Sequence, residues 1–130
     1  MMLNGWLKNT TDMETKFNFR SQVCTSVEQS RRLLALGLKK ETADMHWFYT
    51  GKIHGWQCCV QCYQDAIAEP FRKEDATNGN IQPAWSLHRL IEMLALCPYE
   101  IYPKDNVFED IIYDIEEAIK EGYFNKEYLV

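Results

Sequence analysis

The sequence predicts an α+β fold, with three principal helices packed on a small, mainly antiparallel sheet. Three observations carry this. Two segments, in the regions 26–36 and 106–121, repeat apolar residues at helical spacing behind capping side chains, and a third does so after Ser86. The stretch from Met45 to Tyr63 is rich in aromatic residues and is broken by Gly51-Lys52, the pattern of a hairpin. Helical and extended segments alternate too irregularly for a doubly wound parallel sheet. At 130 residues with 46% apolar and 25% charged side chains the chain is sized for one core. Residues 1–16 read as a loosely ordered lead-in and residues 17–130 as a single α+β domain.

Taken in order, Phe17-Asn18-Phe19-Arg20 alternates over the length of a short strand. Thr25 with Glu28 and Ser26 with Gln29 form two overlapping capping boxes, so a helix begins there. Val27, Ser30, Leu33 and Leu34 line its inner face, and Gly37 lets the chain leave it. Residues 45–50 and 56–63 are the two strands of the hairpin. Residues 64–82 are mixed, with a helical turn at Asp65-Ala66-Ile67-Ala68 and a loop at Asn78-Gly79-Asn80. The second helix begins near Pro83-Ala84-Trp85-Ser86, with Ser86 as N-cap, Trp85 stapled to Leu90, and Leu87, Leu90, Ile91 and Leu94 as the buried stripe. Pro98 ends it. Tyr99 to Tyr102 reads as a short strand. Asn106 with Glu109 then caps the last helix, whose inner face is Phe108, Ile111, Ile112, Ile115 and Ile119 and whose end is Gly122.

The segment Gly55-Trp56-Gln57-Cys58-Cys59-Val60-Gln61-Cys62-Tyr63 holds three of the five cysteines. Side chains of a strand alternate between faces, so a strand over this whole stretch sends Cys59 and Cys62 to opposite sides. They then share neither a metal nor a disulfide. A redox Cys-x-x-C also favours the junction of a strand with a helix N-terminus, which Tyr63-Gln64-Asp65 does not suggest. Cys24 and Cys97 stand alone in the sequence.

The formal charge is −5, and it is concentrated at one end. Residues 99–130 carry nine acids against Lys104, Lys120 and Lys126, a net −6, which leaves +1 for residues 1–98. No basic block is present to neutralise phosphates, so nucleic acid is disfavoured as a partner. No apolar run approaches the roughly 20 residues of a membrane span, and the first residues lack the pattern of a secretory signal. These features point to a cytoplasmic protein with free thiols and no membrane partner.

Three blocks taken together, Phe17–Met45 (FNFRSQVCTSVEQSRRLLALGLKKETADM), Gln82–Leu94 (QPAWSLHRLIEML) and Ile119–Leu129 (IKEGYFNKEYL), resemble a family of small uncharacterised proteins from Bacteroides-type prophages and other mobile elements. The resemblance covers a little over half of the chain. It implies an accessory role in a mobile element, and it supplies no activity, cofactor or site residue.

The residues themselves carry no Ser-His-Asp order, phosphate loop or paired-carboxylate signature. A non-enzymatic protein without a cofactor is therefore preferred to an enzyme, acting through protein–protein interaction. The candidate surface comprises Trp85, His88, Glu109, Asp110, Tyr113 and Glu117, because aromatic anchors and an acidic helix face suit a basic protein partner. Self-association is compatible with the same aromatics. The alternative is a small metal-binding protein or enzyme built on His54, Cys58, Cys59 and Cys62. His88 and Glu92, four apart on a helix, read as a surface contact in preference to a proton-transfer pair.

Overall fold

The computed structural model of the chain describes residues 21–98 and 106–130. The expected strands at residues 17–20 and 99–102, and the lead-in at 1–16, lie outside these residues. The order of elements is α1 (Val27–Ala35), a 3-10 helix (Lys40–Thr42), β1 (Met45–Tyr49), β2 (Trp56–Cys59), α2 (Tyr63–Ala68), a 3-10 helix (Pro70–Arg72), α3 (Lys73–Thr77), β3 (Ile81–Ala84), α4 (Leu87–Met93), α5 (Val107–Glu121) and a 3-10 helix (Lys126–Tyr128). The strands form an antiparallel sheet in the order β2-β1-β3, and helices α1, α4 and α5 pack with it as the predicted α+β arrangement.

Local chemistry sets the helix ends. Of the two overlapping boxes at α1, the one that forms is Ser26 with Gln29: the Ser26 hydroxyl accepts from the Gln29 amide, and the Gln29 side chain accepts from the Ser26 amide. Gly37 follows at φ +103°, its N–H donating to Leu34 O while Leu38 N–H donates to Leu33 O. This is the paired closure that a left-handed residue permits. Helix α5 is capped by Asn106, whose Oδ1 accepts from Phe108 N and Glu109 N, and is closed in the same manner at Gly122.

The hairpin has the predicted position, with Trp47 opposite Cys58 and Tyr49 opposite Trp56. Its second strand is shorter than expected. β2 stops at Cys59, Val60 is 85% exposed, and Cys62 is the N-cap residue of α2. Cys62 is therefore not part of a strand, strand alternation says nothing about its relation to Cys59, and the Cys-x-x-C does span a strand-to-helix junction, contrary to the expectation from Tyr63-Gln64-Asp65. The turn is held from β1, where the buried His46 donates from Nδ1 to Gln61 O at 2.8 Å. Its Nε2 is buried with no hydrogen-bond partner among the described residues.

β3 was not expected, because the prediction begins a helix at Pro83. Tyr49 N–H donates to Asn80 O across the β1–β3 pair, and antiparallel ladders alternate hydrogen-bonded and non-bonded pairs. Pro83, opposite His46, consequently turns its missing N–H away from the sheet, on an edge strand.

The two faces of the sheet have different fates. Phe48 and Ile81 join the main core with Leu33, Trp85, Leu90, Phe108, Ile111, Ile112 and Ile115, while Met45, Ala84 and Cys24 form a smaller cluster with Trp47 and Cys58 on the other face. Each large core side chain contributes on the order of 1.5–3 kcal/mol of transfer free energy. On α4 the buried residues are Leu90 and Met93, followed by Leu94, whereas Ile91 is 41% exposed. The stripe is rotated from the predicted one because Met93 replaces Ile91 in the core. Arg72 lays its guanidinium 4.4 Å from the centre of the Phe48 ring, which holds the α2–α3 segment to the sheet.

Candidate functional site

Helix α5 is the most strongly two-sided element. Phe108, Ile111, Ile112, Ile115 and Ala118 are buried, as the apolar periodicity predicts, with Ile119 packed at the edge of the core. The remaining positions carry Glu109, Asp110, Asp114, Glu116, Glu117 and Glu121 against a single lysine, Lys120, so the helix alone holds a net −5. Glu109, Tyr113 and Glu117 succeed one another every four residues, and Asp110 and Asp114 form the neighbouring row. Tyr113 stands among them with its ring 60% exposed.

The acids are not equivalent. Glu109 leaves the expected reciprocal cap with Asn106 and turns to α1, where Arg32 Nη1 donates to Oε1 at 2.7 Å and Gln29 Nε2 donates to Oε2. The Arg32 guanidinium, and then the Gln29 amide, hold its carboxyl below the usual glutamate range. Lys120 lies 3.5 Å from both Glu116 and Glu117, whose charges push its ammonium above the usual lysine range. Asp114 shifts the other way from Glu109: partial burial raises its carboxyl, and the charge of Asp110 one turn earlier raises it further.

Of the predicted surface residues, Glu109, Asp110, Tyr113 and Glu117 are thus brought onto one helix. His88 sits on α4 instead, 87% exposed and 3.9 Å from Glu92, which also receives Arg89 at 2.9 Å. Trp85 does not belong to a surface. Contrary to the expectation, it is fully buried in the core, with Nε1 donating to Thr42 Oγ1 at 2.9 Å. The residues that sequence reasoning missed are Arg32 and Gln29, which are remote in sequence from α5, and Asp114, whose i,i+4 spacing from Asp110 was legible.

The alternative cluster is not assembled. Cys58 and Cys59, as strand neighbours, face opposite ways: the Cys58 thiol meets Cys24, and the Cys59 thiol is directed toward Gln57 O at 3.8 Å. Among the described residues, no three His, Cys, Asp or Glu side chains come together as a metal-binding group. His54 lies in the turn between β1 and β2.

A cavity of about 260 Å³ opens between the end of α4 and the segment after α5, lined by Glu92, Met93, Leu96, Cys97, Tyr123, Asn125 and Tyr128. Its thiol, Cys97, donates to Tyr123 O at 3.4 Å, and burial pushes that thiol up, which disfavours the thiolate. The cavity is thus lined by apolar and polar side chains together, and its thiol is not activated. No helix among the described residues is long and apolar enough to cross a membrane. Comparison with protein-family models, characterised sequences and solved structures gives no match for this chain.

Proposed function

We propose that this chain is a non-enzymatic protein-binding module whose working surface is the acidic outer face of α5, with Tyr113 as its central side chain. The observation that carries the reading is the crowding at Asp114. The helix places Asp110 and Asp114 one turn apart, and the Asp114 carboxyl is raised by burial and by that neighbour. Like charges at i,i+4 destabilise a helix by a few tenths of a kcal/mol, about 0.2–0.5. Local choices that work against stability are common where a surface is used. An exposed tyrosine beside concentrated negative charge supplies the two ingredients of recognition: an amphipathic anchor, and a field that attracts a basic partner. The sequence blocks resembling prophage proteins support an accessory role in a mobile element for the same module.

Affinity capture from host extract tests this reading. A basic protein should be recovered by the wild-type chain, and less of it by the combined variant Tyr113→Ala, Glu117→Lys. Its recovery should fall as salt shortens the electrostatic range to below about 8 Å. Equal recovery by the two chains at every salt concentration would move the interface elsewhere.

A further inference from the structure

The smaller core cluster contains a pair of cysteines that no sequence spacing announces. Cys24, in the lead-in to α1, and Cys58, on the edge strand β2, are free thiols with their Sγ atoms 3.1 Å apart. We propose that Cys24 and Cys58 are a thiol–disulfide redox site, which closes to a disulfide in the presence of a small-molecule disulfide oxidant and reopens with a thiol reductant.

The backbone on both sides is already in place. Cys24 bridges to Ser86 in the antiparallel sense, Thr25 N–H donates to Trp85 O at 2.9 Å, and the Gln22 side chain donates to Cys24 O at 2.8 Å. Cys58 is paired with Trp47 in the sheet, and Trp47 Nε1 donates to Thr25 O at 2.7 Å. The two sulfurs therefore face each other from segments already tied together. Forming a bond of about 2.05 Å requires roughly 1 Å of approach, within the reach of side-chain rotation. The Cys59 and Cys97 thiols are directed elsewhere, toward Gln57 O and Tyr123 O.

Exposure assigns the roles. Cys58 is only partly buried, whereas Cys24 is fully buried, so the oxidant reaches Cys58 first. Its thiolate attacks one sulfur of the oxidant RSSR, forming the Cys58–SR mixed disulfide and releasing RS⁻. The Cys24 sulfur then attacks the Cys58 sulfur, the intramolecular disulfide forms, and the second RS⁻ leaves. The two cysteine protons are taken up by the departing thiolates. Two protein thiols are thus oxidised as one RSSR is reduced to two RSH. Burial, followed by the neighbouring Cys58 and Asp44, pushes the Cys24 thiol up, which lowers the thiolate fraction available to the closing step.

The test uses the full chain in mixtures of reduced and oxidised glutathione, with remaining thiols trapped by N-ethylmaleimide and the digest mapped by mass spectrometry. The expected product is a Cys24–Cys58 linked peptide that dithiothreitol abolishes. The oxidised protein should melt roughly 10 °C above the reduced one, as expected for a cross-link closing a loop of this size. Cys58→Ser should show neither the peptide nor the shift. Three results would overturn the proposal: Cys58 held as a stable glutathione adduct while Cys24 is still alkylated after unfolding, a different pair of cysteines cross-linked, or both thiols unchanged under oxidising mixtures. Because mapping is done on the wild-type chain, the answer does not depend on whether a Cys24 variant folds.

Discussion

Thr25 and Trp85 hold each other by reciprocal hydrogen bonds: Thr25 N–H donates to Trp85 O at 2.9 Å, and Trp85 N–H donates to Thr25 Oγ1 at 3.0 Å. The same hydroxyl lies 2.8 Å from Ser30 Oγ, and all three residues are fully buried. This contact joins the start of α1 to the β3–α4 junction and seats the largest side chain of the core. Thr25→Val keeps the shape and removes the hydroxyl, leaving Trp85 N–H without its acceptor. Stability to urea should fall by about 1–3 kcal/mol with little change in the slope of the transition.

The two perturbed carboxylates of α5 should give opposite signatures in acid. Glu109 is held low by Arg32, so its stabilising contribution is complete above the ordinary glutamate range and is lost as pH falls through its lowered value. The pair is nearly half exposed, which limits the effect to about 0.2–1 kcal/mol. Glu109→Gln should therefore be less stable than wild type at neutral pH and converge with it in acid. Asp114 is held high, so its ionised form burdens the fold above its raised value and ceases to do so once it is protonated in both states. Asp114→Asn should be the more stable chain at neutral pH, by about 0.2–0.5 kcal/mol, and should also converge in acid. Thermal melts across this range separate the two cases.

Gly122 closes α5 at φ +80°, and a Cβ built there meets nothing within 4 Å. The effect of Gly122→Ala is consequently one of backbone conformation alone. A loss of about 1–2 kcal/mol is expected in denaturant unfolding, with no change in the core.

The helices were legible where the signal is local. The isoleucine spacing of α5, the Ser26–Gln29 box and the glycines at 37 and 122 need only neighbouring residues to be interpreted. β3 was hidden because Pro83 looks like a helix start until its place on a sheet edge is known. The short helices between residues 63 and 77 carry too weak a period to separate from a loop. Trp85 looked like a surface anchor because its partners, Thr25 and Thr42, lie 60 and 43 residues away. In the candidate site the acids of α5 could be read directly, since all six lie off the buried stripe. The clamp of Arg32 and Gln29 on Glu109 could not, and it removes Glu109 from the set of acids that can be reversed without disturbing the fold. The approach of Cys24 to Cys58 is likewise a tertiary fact with no trace in spacing.

Site-specific photo-crosslinking in host cells shows whether α5 is a docking face for a protein. Replacing Tyr113 with a photoreactive phenylalanine derivative puts the probe at the centre of the proposed face, while the same replacement at Ile53, 91% exposed in the β1–β2 turn, serves as the control. The expected result is a discrete covalent adduct with a basic protein from position 113 and not from position 53, diminished when Glu117→Lys is added. Adducts of equal yield from both positions, or a discrete adduct from position 53 alone, would contradict it.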